Sequence, residues 1–221
     1  MYKRCILIPA RGGSKGIPKK NLFKILDKPL IFYPIRAAHE SKIDEVFVTT
    51  DCDKIAEIAA EFGAKIINRP KEISGDLSTD LEAFQHFVES SSIEYDYIVH
   101  LRATFPKITG EIVDDACDKF EEMYESCDSM RSVIQVKQNP YKMWHMRENF
   151  LYPVVRENKL HSAPRQLIES SYLQNACVDI VKTTAVINKN SMIGDRCLAY
   201  QMSDYYDFDI DTIEDIQGRH W

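Results

Sequence analysis

Four short apolar runs, at residues 4–9, 45–49, 65–68 and 95–101, are separated by stretches at 30–40, 53–62 and 81–89 that carry the spacing of amphipathic helices. Strands joined through helices of this length lie parallel, with the helices crossing over the sheet faces. Gly63 follows the second helical stretch where a left-handed residue would end it, and a fourth helix is expected from 109 to about 124. The chain is therefore read as α/β, one unit of 221 residues whose 44% apolar content suffices for a sizeable core. Ligands of open parallel sheets bind beyond the carboxyl ends of the strands. Polar segments fall at those ends: a long one after residue 9, Thr50-Asp51 after the second run and Arg69-Pro70 after the third.

The segment after the first run reads Ile8-Pro9-Ala10-Arg11-Gly12-Gly13-Ser14-Lys15-Gly16-Ile17-Pro18-Lys19-Lys20-Asn21-Leu22, with three glycines and four cations directly behind an apolar strand. Glycines let the main chain turn and bring N–H groups to phosphate oxygens, while Arg11, Lys15 and Lys20 add charge. A Walker loop needs Lys-Ser/Thr after its last glycine, and the dinucleotide fingerprint needs G-x-G-x-x-G; neither is here. The alternative is a basic, glycine-rich surface turn. Far along the chain, Asp207-Phe208-Asp209-Ile210-Asp211 sets carboxylates at alternate positions of an extended segment, so that they share one face. Such a set suits Mg²⁺ whose remaining ligands are triphosphate oxygens. Its alternative is an acidic turn, with Asp211-Thr212-Ile213-Glu214 capping a final helix.

A net charge of −6, with the cations gathered in one loop, argues against nucleic acid as a partner. Six cysteines without C-x-x-C spacing suit reduced core thiols, and six histidines show no metal-ligand spacing. His86 reads as a surface residue, and no Ser-His-Asp or Cys-His arrangement emerges. The apolar runs fall short of the roughly 18 residues of a membrane span, and the chain starts on a strand; no membrane association and a cytoplasmic location are expected. From Ser132 the pattern loosens. Met143, Trp144, Met146, Phe150, Leu151, Tyr152 and Val154 form a patch too irregular for a central helix, which a second layer of core would explain.

The ordered string from Ile8 to Leu22 resembles the nucleotide-binding signature of the acylneuraminate cytidylyltransferase family, the CMP-sialic acid synthetases and their relatives acting on other nonulosonic acids. The resemblance continues, more loosely and in the family's order, through Thr49-Thr50-Asp51, Arg69-Pro70, residues 101–106, Pro164-Arg165-Gln166 and Asp209-Ile210-Asp211. It implies a Rossmann-like nucleotidyltransferase fold, a mainly parallel sheet flanked by helices. A single domain would span 1–221, with an extension at about 138–175 that embraces the partner in a homodimer with shared active sites. The implied reaction transfers CMP from CTP to a hydroxyl of a sialic-acid-like or other acidic sugar and releases pyrophosphate, for surface glycan synthesis.

On this resemblance Ala10, Arg11, Gly12, Gly13, Asn21, Arg69, Ser78 and Asp80 bind the nucleotide, although Asn21 could instead cap the next segment. Arg11 and Lys20 offset triphosphate charge, and Lys15 meets the leaving pyrophosphate. Asp209 and Asp211 hold Mg²⁺ at the α-phosphate and the incoming hydroxyl. Arg11, Lys15, Lys20 and Asp211 form the catalytic set, because in-line transfer is limited by charge repulsion and alignment. Arg102, Thr104, Gln174 and Asn175 meet the acceptor, and Lys142 and Arg165 cross the dimer into the partner's site.

Three departures bear on the substrate. Where the family reads L-Q-P-T-S-P-L-R, this chain has Leu101-Arg102-Ala103-Thr104-Phe105-Pro106-Lys107-Ile108, so an arginine replaces the amide that faces the sugar. It could pair with a carboxylate or phosphate on the acceptor. Asp80 replaces a serine near the base and could accept from cytosine or from guanine. Ala176 replaces the glycine of an Asn-Gly-x-x-Tyr strand, and the tyrosine has no counterpart. A sugar-phosphate nucleotidylyltransferase using GTP or another triphosphate, or an idle sugar-nucleotide-binding subunit, are the alternative readings; Lys20, Asp209 and Asp211 argue against the idle one.

Overall fold

In the computed structural model, which describes residues 2–206, 210 and 212–216 with the main chain alone at 157–159, β1 (Arg4–Pro9) sends Ile6 and Ile8 into one buried cluster and Cys5 and Leu7 into another. A strand apolar on both faces belongs at the centre of a layered sheet. The chain then runs through a small hairpin, β2 (Lys24–Ile25) and β3 (Lys28–Pro29), into α1 (Phe32–Glu40), β4 (Val46–Thr50), α2 (Asp53–Glu61), β5 (Lys65–Asn68), α3 (Asp80–Ser90), β6 (Tyr97–Leu101) and α4 (Gly110–Glu122). Apart from the β2–β3 hairpin, which the sequence reading did not include, these are the expected strands and helices, with small shifts at their ends. Thr109 caps α4 by accepting from the Ile112 N–H at 3.4 Å, and Gly63 ends α2 at φ +89.

The second half adds β7 (Ser129–Val136), β8 (Trp144–Arg147), β9 (Phe150–Pro153), β10 (Ser171–Lys182), α5 (Thr183–Asn188) and β11 (Cys197–Met202). The seven-stranded sheet has the order β11-β7-β10-β6-β1-β4-β5. Among the described residues β10 is the strand that runs against the others, antiparallel to both β6 and β7, while β1, β4, β5, β6, β7 and β11 are parallel. Helices α1, α2 and α4 cover one face, where Ile35, Ile55 and Phe120 join Ile6 and Ile8. Helices α3 and α5 cover the other, where Phe84, Phe87 and Val186 join Cys5 and Leu7. Each such side chain, fully buried, contributes about 1.5–3 kcal/mol.

The irregular patch of the sequence is the β8–β9 hairpin and its flanks. It is not a second core layer: Met146, Phe150 and Leu151 are 75%, 65% and 60% exposed. All six cysteines are free thiols; Cys5, Cys117, Cys127 and Cys177 are buried as expected, whereas Cys52 is half-buried and Cys197 is exposed rather than in the core. Among the described residues no helix is long and apolar enough to cross a membrane.

Candidate active site

The glycine-rich loop leaves the carboxyl end of β1, where the Ala10 N–H still pairs with the Thr49 carbonyl at 2.9 Å. Gly12 then passes so close to α2 that an added Cβ would lie 2.9 Å from Cys52 Cβ. Its N–H donates to Asp51 Oδ1 at 2.8 Å. The left-handed turn of the loop falls on Lys19 (φ 54), not on its glycines. Asn21 closes the loop on itself by donating from Nδ2 to the Arg11 carbonyl at 2.9 Å.

The cations of this loop have protein partners. Arg11 donates to the Gly75 carbonyl at 2.7 Å and to Asp76 Oδ1 at 3.1 Å, and Lys15 lies 2.8 Å from Asp76 Oδ2. The Lys15 contact, helped by Arg11, holds the Asp76 carboxyl below its ordinary pKa against a small desolvation. Lys20 donates to the Ile210 carbonyl at 3.1 Å, and the Ile210 N–H reaches the Thr104 carbonyl at 3.0 Å. Ile210 is thereby fastened between the loop and the segment after β6. Its neighbours Asp209 and Asp211, and Asp207, lie outside the described residues.

A cleft of about 240 Å³ opens at the carboxyl ends of β1 and β6. Arg11, Gly13, Lys20 and Asn21 line it from the loop, and Arg69, Ser78 and Asp80 from the side of α3. Arg102 and Thr104 close it after β6. A capping box sets the α3 end: Thr79 Oγ1 accepts from the Glu82 N–H at 3.3 Å, and Glu82 Oε2 accepts from the Thr79 N–H at 2.6 Å. Arg69 is 8% exposed, with Nε and Nη2 buried and without a hydrogen-bond partner among the described residues. Burial pulls its pKa below the usual arginine value and Arg11 adds to this, while Asp51 and Asp80 oppose it. Buried, unpaired guanidinium donors beside a cleft call for an acceptor-bearing ligand.

Lys142 and Arg165 are not brought to this cleft. They line another, of about 550 Å³, with Asn139 and Glu169, and Lys142 donates to the carbonyls of His161 and Ala163 at 2.9 and 2.6 Å. Asn175 is buried and donates to the Tyr206 carbonyl at 3.0 Å. The next residue, Ala176, holds φ 57 at a register shift in β10, a conformation that favours the glycine it replaces.

Sequence reasoning missed a polar row on the α3 face. His100, Asp179 and Arg131 are register neighbours across β6, β10 and β7. Asp179 Oδ2 takes Arg102 and Arg131, each at 2.5 Å, and Gln174 Nε2 at 2.9 Å. Burial raises the Asp179 pKa, but the two guanidiniums outweigh it and hold the carboxyl below its usual range. His100 is fully buried against Phe84; burial, with Arg102 and Arg131 adding, keeps its pKa well below normal and the ring neutral, Asp179 opposing. An ionisable residue inside the apolar run Val178-Asp179-Ile180-Val181 was the available signal.

The family model described as cytidylyltransferase matches residues 5–193. The chain belongs to the cytidylyltransferase family. It is 38% identical over 146 residues to N-acylneuraminate cytidylyltransferase B of Danio rerio, a match covering 66% of this chain and 33% of that one. It is 41% identical over 123 residues to a pseudaminic acid cytidylyltransferase of Campylobacter jejuni, covering 53% of each. This cytidylyltransferase chain thus spans between a third and about half of the curated relatives it matches. The fold is that of a CMP:2-keto-3-deoxy-manno-octonic acid synthetase complexed with CTP, with a TM-score of 0.70 at 17% identity over 97% of this chain and 95% of the other.

Proposed function

We propose that this chain transfers CMP from CTP to the hydroxyl of a sialic-acid-like or other acidic sugar, releasing pyrophosphate. The observation that carries the reading is the cleft itself, where Arg69 keeps unpaired buried donors beside the glycine-rich loop in a cytidylyltransferase fold. Arg11, Lys15 and Lys20 take the triphosphate in place of their present partners and offset the charge that develops on the leaving pyrophosphate. Ser78, Asp80 and Arg69 hold the nucleoside, with Ala10, Gly12, Gly13 and Asn21 shaping the loop. Thr104 and Gln174 stand toward the acceptor, Asn175 shapes the strand beside them, and Arg102 sits between nucleotide and acceptor sides.

Mg²⁺ is assigned to Asp209 and Asp211. Support comes from Ile210 between them, whose main chain is held at the cleft by Lys20 and Thr104. The ion would supply positive charge at the α-phosphate and the incoming hydroxyl. A homodimer completes the site. The exposed apolar hairpin β8–β9 gives it a surface, and Lys142 and Arg165, remote from their own nucleotide cleft, are its contribution to the partner. No nucleic acid or membrane partner is assigned, and a cytoplasmic, surface-glycan role follows from the same reading.

The test is a matrix of nucleoside triphosphates against acidic sugars, with and without Mg²⁺, read by pyrophosphate release. Turnover with CTP and a nonulosonic acid is expected. Turnover confined to GTP, or to sugar phosphates, would overturn the reading.

A further inference from the structure

The departures at positions 80 and 102 touch each other. Arg102 Nη2 lies 3.4 Å from Asp80 Oδ2, and its Nη1 lies 2.5 Å from Asp179 Oδ2. Asp179 is 1% exposed and is also held by Arg131 and Gln174. With His100 neutral, the described members of this cluster are two guanidiniums and two carboxylates, so their charges balance. A guanidinium whose two terminal nitrogens already face carboxylates, one of them buried, is badly placed to collect a further anion from an acceptor. It is well placed to tie Asp80 to the sheet. Asp80 occupies the first turn of α3 and lines the same cleft as Arg69.

We propose that Arg102 is a positioning residue for the nucleobase: through Asp179 it anchors Asp80 to the sheet, so that the Asp80 carboxylate accepts from the exocyclic amino group of the base. An ionised carboxylate accepts and does not donate. It therefore selects a pyrimidine with an amino group at that edge over one with a carbonyl, which is cytosine over uracil. The inference rests on the cytidylyl reading, and it moves Arg102 from the acceptor to the nucleotide.

Calorimetric binding of Mg·CTP and Mg·UTP, with no sugar present, tests it in full-length protein. Arg102→Gln leaves Asp179 paired with Arg131 and Gln174, and it is expected to weaken CTP by about tenfold, the scale of one charged hydrogen bond, and to narrow the CTP/UTP ratio. In an Asp80→Ser background the same change is expected to alter CTP affinity less than about twofold, because coupled residues are non-additive. Should Arg102→Gln fail to fold, Arg102→Lys, which keeps charge beside Asp179 but lacks the fork, gives the same comparison. Unchanged CTP affinity in Arg102→Gln overturns the inference alone, as does an equal loss in both backgrounds. Wild-type protein that binds no CTP overturns the cytidylyl reading and this inference with it.

Discussion

Asp76 occupies two loop cations that the proposed function assigns to the triphosphate, bonding Arg11 at 3.1 Å and Lys15 at 2.8 Å. Pairs this exposed contribute little to stability, so the contact acts as a weak internal competitor for the phosphate cradle. Asp76→Asn removes its charge and is expected to lower KM for CTP by about two- to fivefold with kcat nearly unchanged. Steady-state kinetics at varied CTP checks this, and an unchanged KM would show that Asp76 does not compete. The loop, with its glycines and cations, was legible in the sequence because those residues are contiguous. Asp76 was not, because nothing near it in sequence marks it as their partner.

At the level of elements, the β2–β3 hairpin turns on Leu26 and Asp27, with φ 47 and 63. A two-residue turn with both residues left-handed favours Asn-Gly, and a branched leucine there carries strain of about 1–2 kcal/mol. Leu26 is also 69% exposed, so little packing is lost when it is replaced. The double change Leu26→Asn with Asp27→Gly is expected to raise Tm by about 2–4 °C in a domain of this size. A lower Tm in a thermal melt would mean that Leu26 has a packing role that offsets the strain. Sequence periodicity located α1–α4 because each is amphipathic over two or more turns. It left β7 and β11 unread: the run of β7 is interrupted by Arg131, Ser132 and Gln135, and β11 comes after β10 has reversed direction.

For the whole molecule, the buried row ties stability to pH. An unfolded imidazole titrates near pH 6.5, whereas His100, enclosed by Phe84, Arg102, Arg131 and Asp179, stays neutral well below that. Below pH 6.5 the unfolded chain takes up a proton that the folded chain refuses. Stability is therefore full above that pH and falls as pH drops, by up to about 1.4 kcal/mol per unit from this group. Denaturant unfolding at pH 7.5, 6.5 and 5.5 should show this slope in wild type and a shallower one in His100→Gln; equal slopes would assign it elsewhere. The proposed composite dimer has its own signature. An inactive Asp211→Ala chain mixed with an inactive Arg165→Ala chain should regain activity, since one of the two hybrid sites then holds both intact residues. No recovery on mixing, with exchange confirmed by sedimentation, would place the whole site within one chain.

The sequence by itself determined the parallel half of the sheet, the glycine-rich basic loop at the end of β1 and the family. Those features rest on local periodicity and on residues contiguous in the chain. Tertiary structure alone decided what Arg102 pairs with. Its partner Asp179 lies 77 positions away and Arg131 meets that same carboxylate from 48 positions away, and they meet because β10 inserts between β6 and β7. Read along the chain, Arg102 is a cation after a strand and free to reach an anionic acceptor. In the fold, Arg102 is held by the buried carboxylate of Asp179, because that desolvated charge needs cationic partners.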